Sequence, residues 1–312
     1  MRIAVMAAGA VGGYFGARMA AAGHEVHFIA RGALLEAIRN NGLKIESPLG
    51  DLHLKDAKAT DDPKSIGPVD IVLFAVKLWD TEKAGEQARP LVGPNTRVIT
   101  LQNGVDSVER LAPILGADNV VGGTAYIATV MASTGVISHT SAFATIRCGR
   151  TDGRPDALMQ RFAEAAKDAG IDITVVDDIE RERWQKFIFL AATSGATSTT
   201  RLPLGPVMEH SETRAFFRQL MEEVMAVGRR KGVALDPAYI EERMAFADKA
   251  PKTMKASMLH DLERGNRLEL DWLAGRVVSL GRELNVPVPV CETIYAVLKP
   301  YRMGAPGRSG PH

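Results

Sequence analysis

Cysteine is scarce. Cys148 and Cys291 are the only two in 312 residues, far apart in the chain. They make no disulfide framework, and this scarcity fits a chain kept in a reducing cytoplasm. Long apolar runs are missing as well: no stretch reaches the roughly 18 residues of a membrane-spanning helix. Neither charge sign is in excess, with 38 Lys and Arg against 37 Asp and Glu and a net charge of +1. So even a balance argues against bulk electrostatic binding to nucleic acid or to a membrane surface. The seven histidines lack metal-ligand spacing. His24 and His27 stand three apart on one expected strand, so they point to opposite faces and form no zinc pair. The first residues do not read as a signal peptide either, because glycines interrupt their apolar core.

What is present reads as an ordinary globular chain, 46% hydrophobic and 24% charged, long enough for two domains with large cores. The organising stretch is Met1–Arg31. Arg2 to Met6 is a short apolar strand of the kind buried on both faces. A turn with Gly9, Gly12, Gly13 and Gly16 follows, then a helix from Ala10 to Ala22 stopped by Gly23, then a strand from Glu25 to Ala30. A glycine-rich strand-to-helix turn aims backbone N–H groups and the positive helix end at an anion. A second strand within about 30 residues makes a dinucleotide pyrophosphate the natural anion. The pattern is Ala7-Ala8-Gly9-Ala10-Val11-Gly12, with alanine where the first glycine usually stands. The expectation is that φ at Ala7 is negative and that Gly9 and Gly12 still cradle the pyrophosphate. No acid ends the second strand. Arg31 stands there instead, and a guanidinium suits a 2′-phosphate. The cofactor expected is therefore NADP(H).

Strands then alternate with helices. A helix spans Ala33 to Asn40. A hairpin or two edge strands span Leu43 to Ser47 and Leu52 to Lys55. Strands follow at Val69 to Val76, Thr96 to Leu101 and Asn119 to Gly122, with helices at Thr81 to Leu91 and Val105 to Leu115. Such alternation predicts a doubly wound, mostly parallel sheet, a Rossmann-like α/β domain. Ala125 to Met131 and Phe143 to Cys148 read as strands around the turn Ser133-Thr134-Gly135. A helix from Asp156 to Ala169 and a strand from Ile171 to Val176 close this half. From Ile179 onward the pattern is helical. The domains expected are residues 1–177, residues 178–302 (all-helical, carrying the substrate), and a disordered tail over 303–312. The apolar helices of the second half can cover each other or a second copy of the chain, so a homodimer stays open.

Ligands of an open parallel sheet sit beyond the carboxyl ends of its strands. That rule puts the glycine turn, Arg31, Lys77 and Asn103 on one rim. Lys77 reads as a phosphate or ribose contact or as a solvated lysine. Asn103 reads as a ligand of the nicotinamide ribose or substrate carbonyl, or as plain turn chemistry. In the second half, Lys186 is the last charge before fourteen uncharged residues, Phe187 to Thr200. A helix so poor in charge is expected to be buried. A lysine entering it has its pKa lowered into range for proton donation to a carbonyl; the alternative is a surface lysine with a buried stem. Ser257 falls on one helix and Glu269 near the start of the next, beyond a break at Arg264-Gly265-Asn266.

Taken together, the chain resembles the ketopantoate reductase family from Met1 to about Tyr301. The resemblance rests on IAVMAAGAVGGYFG, Arg31, VKLWDT at 76–81, TLQNGV at 100–105, the RWQK segment ending at Lys186, TRLPLG at 200–205 and SMLHDLERGNRLELD at 257–271. It implies an NADPH-binding Rossmann domain, a helical domain and reduction of a small 2-oxo acid. It maps the active-site lysine onto Lys186, an asparagine onto Asn103, a cofactor-contacting alanine onto Ala128, a serine onto Ser257 and a glutamate onto Glu269. Glu269 would hold the hydroxyl side or the cofactor. Where ketopantoate-specific enzymes carry asparagines, this chain has Leu190, Ser194, Leu204 and Met254. Of these, Leu190, Ser194 and Met254 join Lys186 and Ser257 as expected substrate contacts. The substitutions point to a more apolar pocket. The reading is NADPH-dependent reduction of ketopantoate to pantoate. A more apolar 2-oxo acid, or NADP(H) binding without catalysis, are the alternatives.

Overall fold

A computed structural model describes residues 1–306, with twelve strands, twelve α-helices and five short 3-10 turns. The chain runs β1 (Arg2–Met6), α1 (Ala10–Ala21), β2 (Glu25–Ile29), α2 (Gly32–Asn41), β3 (Leu43–Glu46), β4 (Leu52–Leu54), β5 (Lys58–Thr60), β6 (Ile71–Phe74), α3 (Thr81–Ala88), β7 (Arg97–Thr100), α4 (Ser107–Leu115) and β8 (Val120–Tyr126). It continues with β9 (Thr129–Ser133), β10 (Val136–His139), β11 (Thr145–Gly149), α5 (Ala157–Asp168) and β12 (Asp172–Val175). Helices follow to the end: α6 (Ile179–Thr200), α7 (Leu204–Glu209), α8 (Ser211–Arg230), α9 (Ala238–Lys249), α10 (Ser257–Arg264), α11 (Ala274–Leu284) and α12 (Pro289–Leu298). Two compact units result, Met1–Glu182 and a second beginning at Arg183. No helix among the described residues is long and apolar enough to cross a membrane.

The first unit is built on an eight-stranded sheet ordered β12-β11-β8-β7-β6-β1-β2-β5. Only the pairing of β11 with β8 is antiparallel. The apolar run of β1 follows from this position: Ile3 and Val5 enter one core, Ala4 and Met6 the other. The first core takes Phe15 and Met19 of α1, Leu35 and Ile38 of α2, and Phe162 and Ala166 of α5. The second takes Ala84 and Ala88 of α3 and Leu111 and Leu115 of α4. The expected doubly wound layout is thus present, and strand order reverses at β1, flanked by β2 and β6.

Several expectations are corrected. β5 and β10 had no counterpart in the sequence reading. A second, four-stranded sheet, ordered β4-β3-β10-β9, lies against α1, where a Cβ on Gly13 would meet Ile137 Cδ1 at 2.6 Å. The hairpin at residues 43–55 belongs to this sheet. Ala125 to Met131 is not one strand: β8 ends at Tyr126, and the chain changes sheets before β9. The turn at 133–135 joins β9 to β10, with Gly135 at φ +83°. Ala7 has φ +73°, so the expected negative value is wrong. The chain must reverse sharply between β1 and α1, and the Ala8 N–H donates to Ile29 O at 3.0 Å, which fixes the sense of the turn. A left-handed alanine costs roughly 1–2 kcal/mol.

In the second unit the uncharged part of α6 is buried, with Ile188, Ala192, Ser194 and Thr197 all at 0% exposure. Small residues let neighbours close on it: a Cβ on Gly195 would lie 2.9 Å from Ile294 Cδ1 of α12, and one on Gly228 of α8 only 2.6 Å from the Trp184 ring. Helix α10 ends at Gly265, which takes the left-handed C′ conformation at φ +70°. Of the expected tail, residues 307–312 lie outside the described residues. At its start the Ala305 N–H donates to Gly265 O at 3.2 Å. Both cysteines are buried free thiols, and burial pushes Cys148 up to about 12.

Candidate functional site

In the first unit β1, β2, β6, β7 and β8 run parallel, so their carboxyl ends form one rim. The glycine turn follows β1, Arg31 follows β2, Lys77 follows β6, Asn103 follows β7 and Ala128 follows β8. The topology therefore brings together all the cofactor-side positions expected in this unit.

The glycines divide the work. At Gly12 a Cβ would lie 2.6 Å from Ala7 O and 2.9 Å from Val5 Cγ1, so this glycine lets α1 close on β1. Around Gly9 an added Cβ meets nothing within 4 Å. Gly9 is the N-cap of α1, no side chain caps that helix end, and its first turn carries no acid. The N–H groups of Ala10, Val11 and Gly12 precede the first intrahelical bond, Gly13 N–H to Gly9 O at 2.7 Å. An uncapped positive helix end with open space above it fits a diphosphate. Ala8 is buried and its N–H is already engaged, so it shapes the turn rather than facing a ligand.

Arg31 is exposed at the N-cap of α2. Lys77 is exposed, with Nζ 5.5 Å from the Trp79 ring centroid. Asn103 is half-buried, just before Gly104 at φ +91°. Gln102 and Arg110, residues with no special mark in the sequence, hold these loops. Gln102 is buried, and its Nε2 donates to Val76 O at 3.0 Å and to Thr81 Oγ1 at 2.9 Å. Arg110 donates to Leu78 O at 2.8 Å while its guanidinium also grips Glu82. Nothing local in the sequence marks these bonds, which span 21 to 32 positions. Ala128 is exposed, but its N–H donates to Ser141 Oγ at 3.0 Å.

In the second unit Lys186 is partly buried, two residues along α6 from fully buried Trp184. Desolvation pushes its pKa down to about 8, while the Glu269 carboxylate acts in the opposite sense. Glu269 is buried and begins the short helical turn Leu270–Trp272. The fold thus brings Lys186 within electrostatic reach of Glu269, 83 positions away. Ser257 is exposed at the first position of α10. Leu190 and Met254 are half-buried, and the Leu204 N–H donates to Met254 O at 2.8 Å. Ser194 is 0% exposed and its hydroxyl has no partner among the described residues. It is sealed in the packing of α6, so the expected substrate contact at Ser194 is not available in this conformation.

Comparison with known proteins bears on this arrangement. Residues 3–153 match the family model described as ketopantoate reductase PanE/ApbA, and residues 178–302 match its C-terminal counterpart. A 2-dehydropantoate 2-reductase of Mesorhizobium japonicum is 31% identical, covering 96% of this chain and 97% of its own. An uncharacterized oxidoreductase of Bacillus subtilis, YkpB, is also 31% identical, over 96% of this chain and 99% of its own. The crystal structure of 2-dehydropantoate 2-reductase from Geobacter metallireducens superposes with a TM-score of 0.90 at 32% identity, over 96% of this chain and 99% of that one.

Proposed function

The chain belongs to the ketopantoate reductase family, oxidoreductases that use a nicotinamide cofactor and reduce small 2-oxo acids, and from that premise we propose that it reduces ketopantoate to pantoate with NADPH. The observation that carries the reading is Lys186, an ammonium whose pKa burial brings down to about 8, within reach of proton donation, and which faces a buried carboxylate. NADPH, when bound, supplies the hydride. Ala10, Val11 and Gly12 offer their N–H groups to the diphosphate, and Gly9 leaves it room. Arg31 and Lys77 hold the 2′-phosphate and ribose. Asn103 orients the carbonyl or the nicotinamide ribose. The Lys186 ammonium donates a proton to the ketone oxygen as negative charge develops there. Ser257 binds the substrate carboxylate. Glu269 keeps Lys186 charged and accepts from the hydroxyl side.

The test is NADPH oxidation with ketopantoate. Lys186→Ala should lose at least about a hundredfold in kcat, the usual scale for a general acid. Normal turnover by that variant would defeat the mechanism. A second reading is favoured by Leu190, Leu204 and Met254, which bring no side-chain polar group to meet a substrate hydroxyl. On this reading the substrate is a 2-oxo acid with a more apolar side chain. A higher kcat/KM for such an acid than for ketopantoate would decide for it.

A further inference from the structure

His139 ends β10 and is 2% exposed, yet no step of the proposed chemistry uses it. Its surroundings are closely specified. Nδ1 lies 2.7 Å from Ser47 Oγ, beyond the end of β3. Nε2 lies 3.1 Å from Phe143 O and 2.8 Å from Ser141 Oγ. Ser141 Oγ donates to Phe143 O at 2.7 Å and accepts from the Ala128 N–H at 3.0 Å. The imidazole also sits against Tyr14 of α1, with ring centroids 4.7 Å apart.

The proton positions follow from the partners. A carbonyl only accepts, so Nε2 carries the hydrogen that faces Phe143 O. Burial and the nearby Arg18 charge outweigh the pull of the Phe143 carbonyl and favour the neutral imidazole; in that form Nδ1 accepts from Ser47, whose Oγ also accepts from the Leu49 N–H at 3.0 Å.

The chain crosses between the two sheets twice here, at residues 127–128 and at 140–144. Both crossings lie at the carboxyl end of β8, because Thr145 of β11 pairs with Tyr126. A backbone bond joins them, Thr140 N–H to Ala128 O at 2.9 Å, and the side-chain tie between them runs through Ser141, whose Oγ lies beside His139 Nε2.

We infer that His139 is a positioning residue for cofactor binding, pinning the 127–128 and 140–143 crossings against α1 so that this part of the rim is set before the nicotinamide cofactor arrives. The inference rests on the reading that the rim of the first unit binds that cofactor. It makes His139 act through Ala128 and α1, without touching ligand.

The experiment measures the NADPH Kd by fluorescence, together with KM for NADPH, kcat and Tm. His139→Phe keeps a ring beside Tyr14 and removes both ring nitrogens. Its NADPH Kd and KM should rise about tenfold, the scale of one or two lost hydrogen bonds, with kcat at saturating NADPH within about twofold. Ser141→Ala should shift Kd and KM the same way and serves as the deciding variant if His139→Phe does not fold. A folded His139→Phe, or failing that Ser141→Ala, with NADPH affinity within twofold of the parent overturns the inference, whatever its Tm. Failure of the parent protein to bind any nicotinamide cofactor would instead defeat the underlying reading.

Discussion

Gly9 and Gly12 sit three residues apart in one turn, and the structure asks opposite things of them. A Cβ at Gly12 collides with backbone; a Cβ at Gly9 meets open space. Gly9→Ala should therefore leave Tm within about a degree while raising KM for NADPH several-fold, since the methyl enters only the space a ligand needs. A fall in affinity accompanied by a comparable loss of stability would show that Gly9 serves the fold instead. Lys186 carries a second residue-scale prediction. With its pKa depressed to about 8, the acid form is complete below that value and is lost as pH rises through it. The kcat for reduction should be level at neutral pH and fall about tenfold per unit above pH 8, while the reverse oxidation should rise over the same range. A profile flat to pH 10 would exclude Lys186 as the proton donor. The place of the glycines and Arg31 beyond the strand ends, and of Lys186 where α6 turns uncharged, was legible because strand–helix alternation and the uncharged run from Phe187 to Thr200 are local patterns. The positive φ of Ala7 was not, because alanine carries no mark of a left-handed turn.

Among the elements, α8 and α12 show how one side chain can fix a helix end. Glu223 of α8 is buried, and its two oxygens accept from the Val290 and Cys291 N–H groups, each at 2.8 Å. The carboxylate is thus an N-terminal cap supplied by another helix, aligned with the helix dipole. Glu223→Gln offers one acceptor for two donors and should cost about 1–3 kcal/mol, read as a lower midpoint in urea unfolding. An unchanged midpoint would mean that the α12 end is satisfied some other way. The long periodic elements were readable in the sequence: β1, β6, α1, α5 and the buried half of α6 all declare themselves by pattern. β5 and β10 did not. They are three and four residues long, too short for a pattern of their own; β5 pairs only with the distant β2, and β10 is held between the adjacent β9 and the distant β3. The contacts that hold the rim loops, through Gln102, Arg110 and His139, were hidden for the same reason.

At the scale of the molecule, cofactor binding should show as stabilisation. A ligand that binds only the folded chain adds RT ln(1 + [L]/Kd), about 2.7 kcal/mol at a hundred times Kd. NADPH should raise Tm more than NADH at equal concentration, and Arg31→Ala should narrow that difference. Equal shifts from both cofactors in the parent protein would remove the case for a 2′-phosphate site at Arg31. Substrate identity was the least legible property at this scale. Leu190, Leu204 and Met254 show which hydrogen bonds are missing; they do not say which molecule has no need of them.

The small sheet has a consequence for how the protein comes to be. β3 and β10 lie side by side, Lys44 opposite Val136, so strands 92 positions apart pair directly. Closing so long a loop is slow compared with making local helices. The small sheet should therefore assemble late, after the β1–α1–β2 unit on which it rests has formed. It should also be early to open, with amides of β3 and β10 exchanging with solvent ahead of those in β1 and β6. The crossings at residues 127–128 and 140–144 inherit that timing, so the rim beyond β8 matures last, and a nascent chain acquires its glycine turn well before that rim is complete.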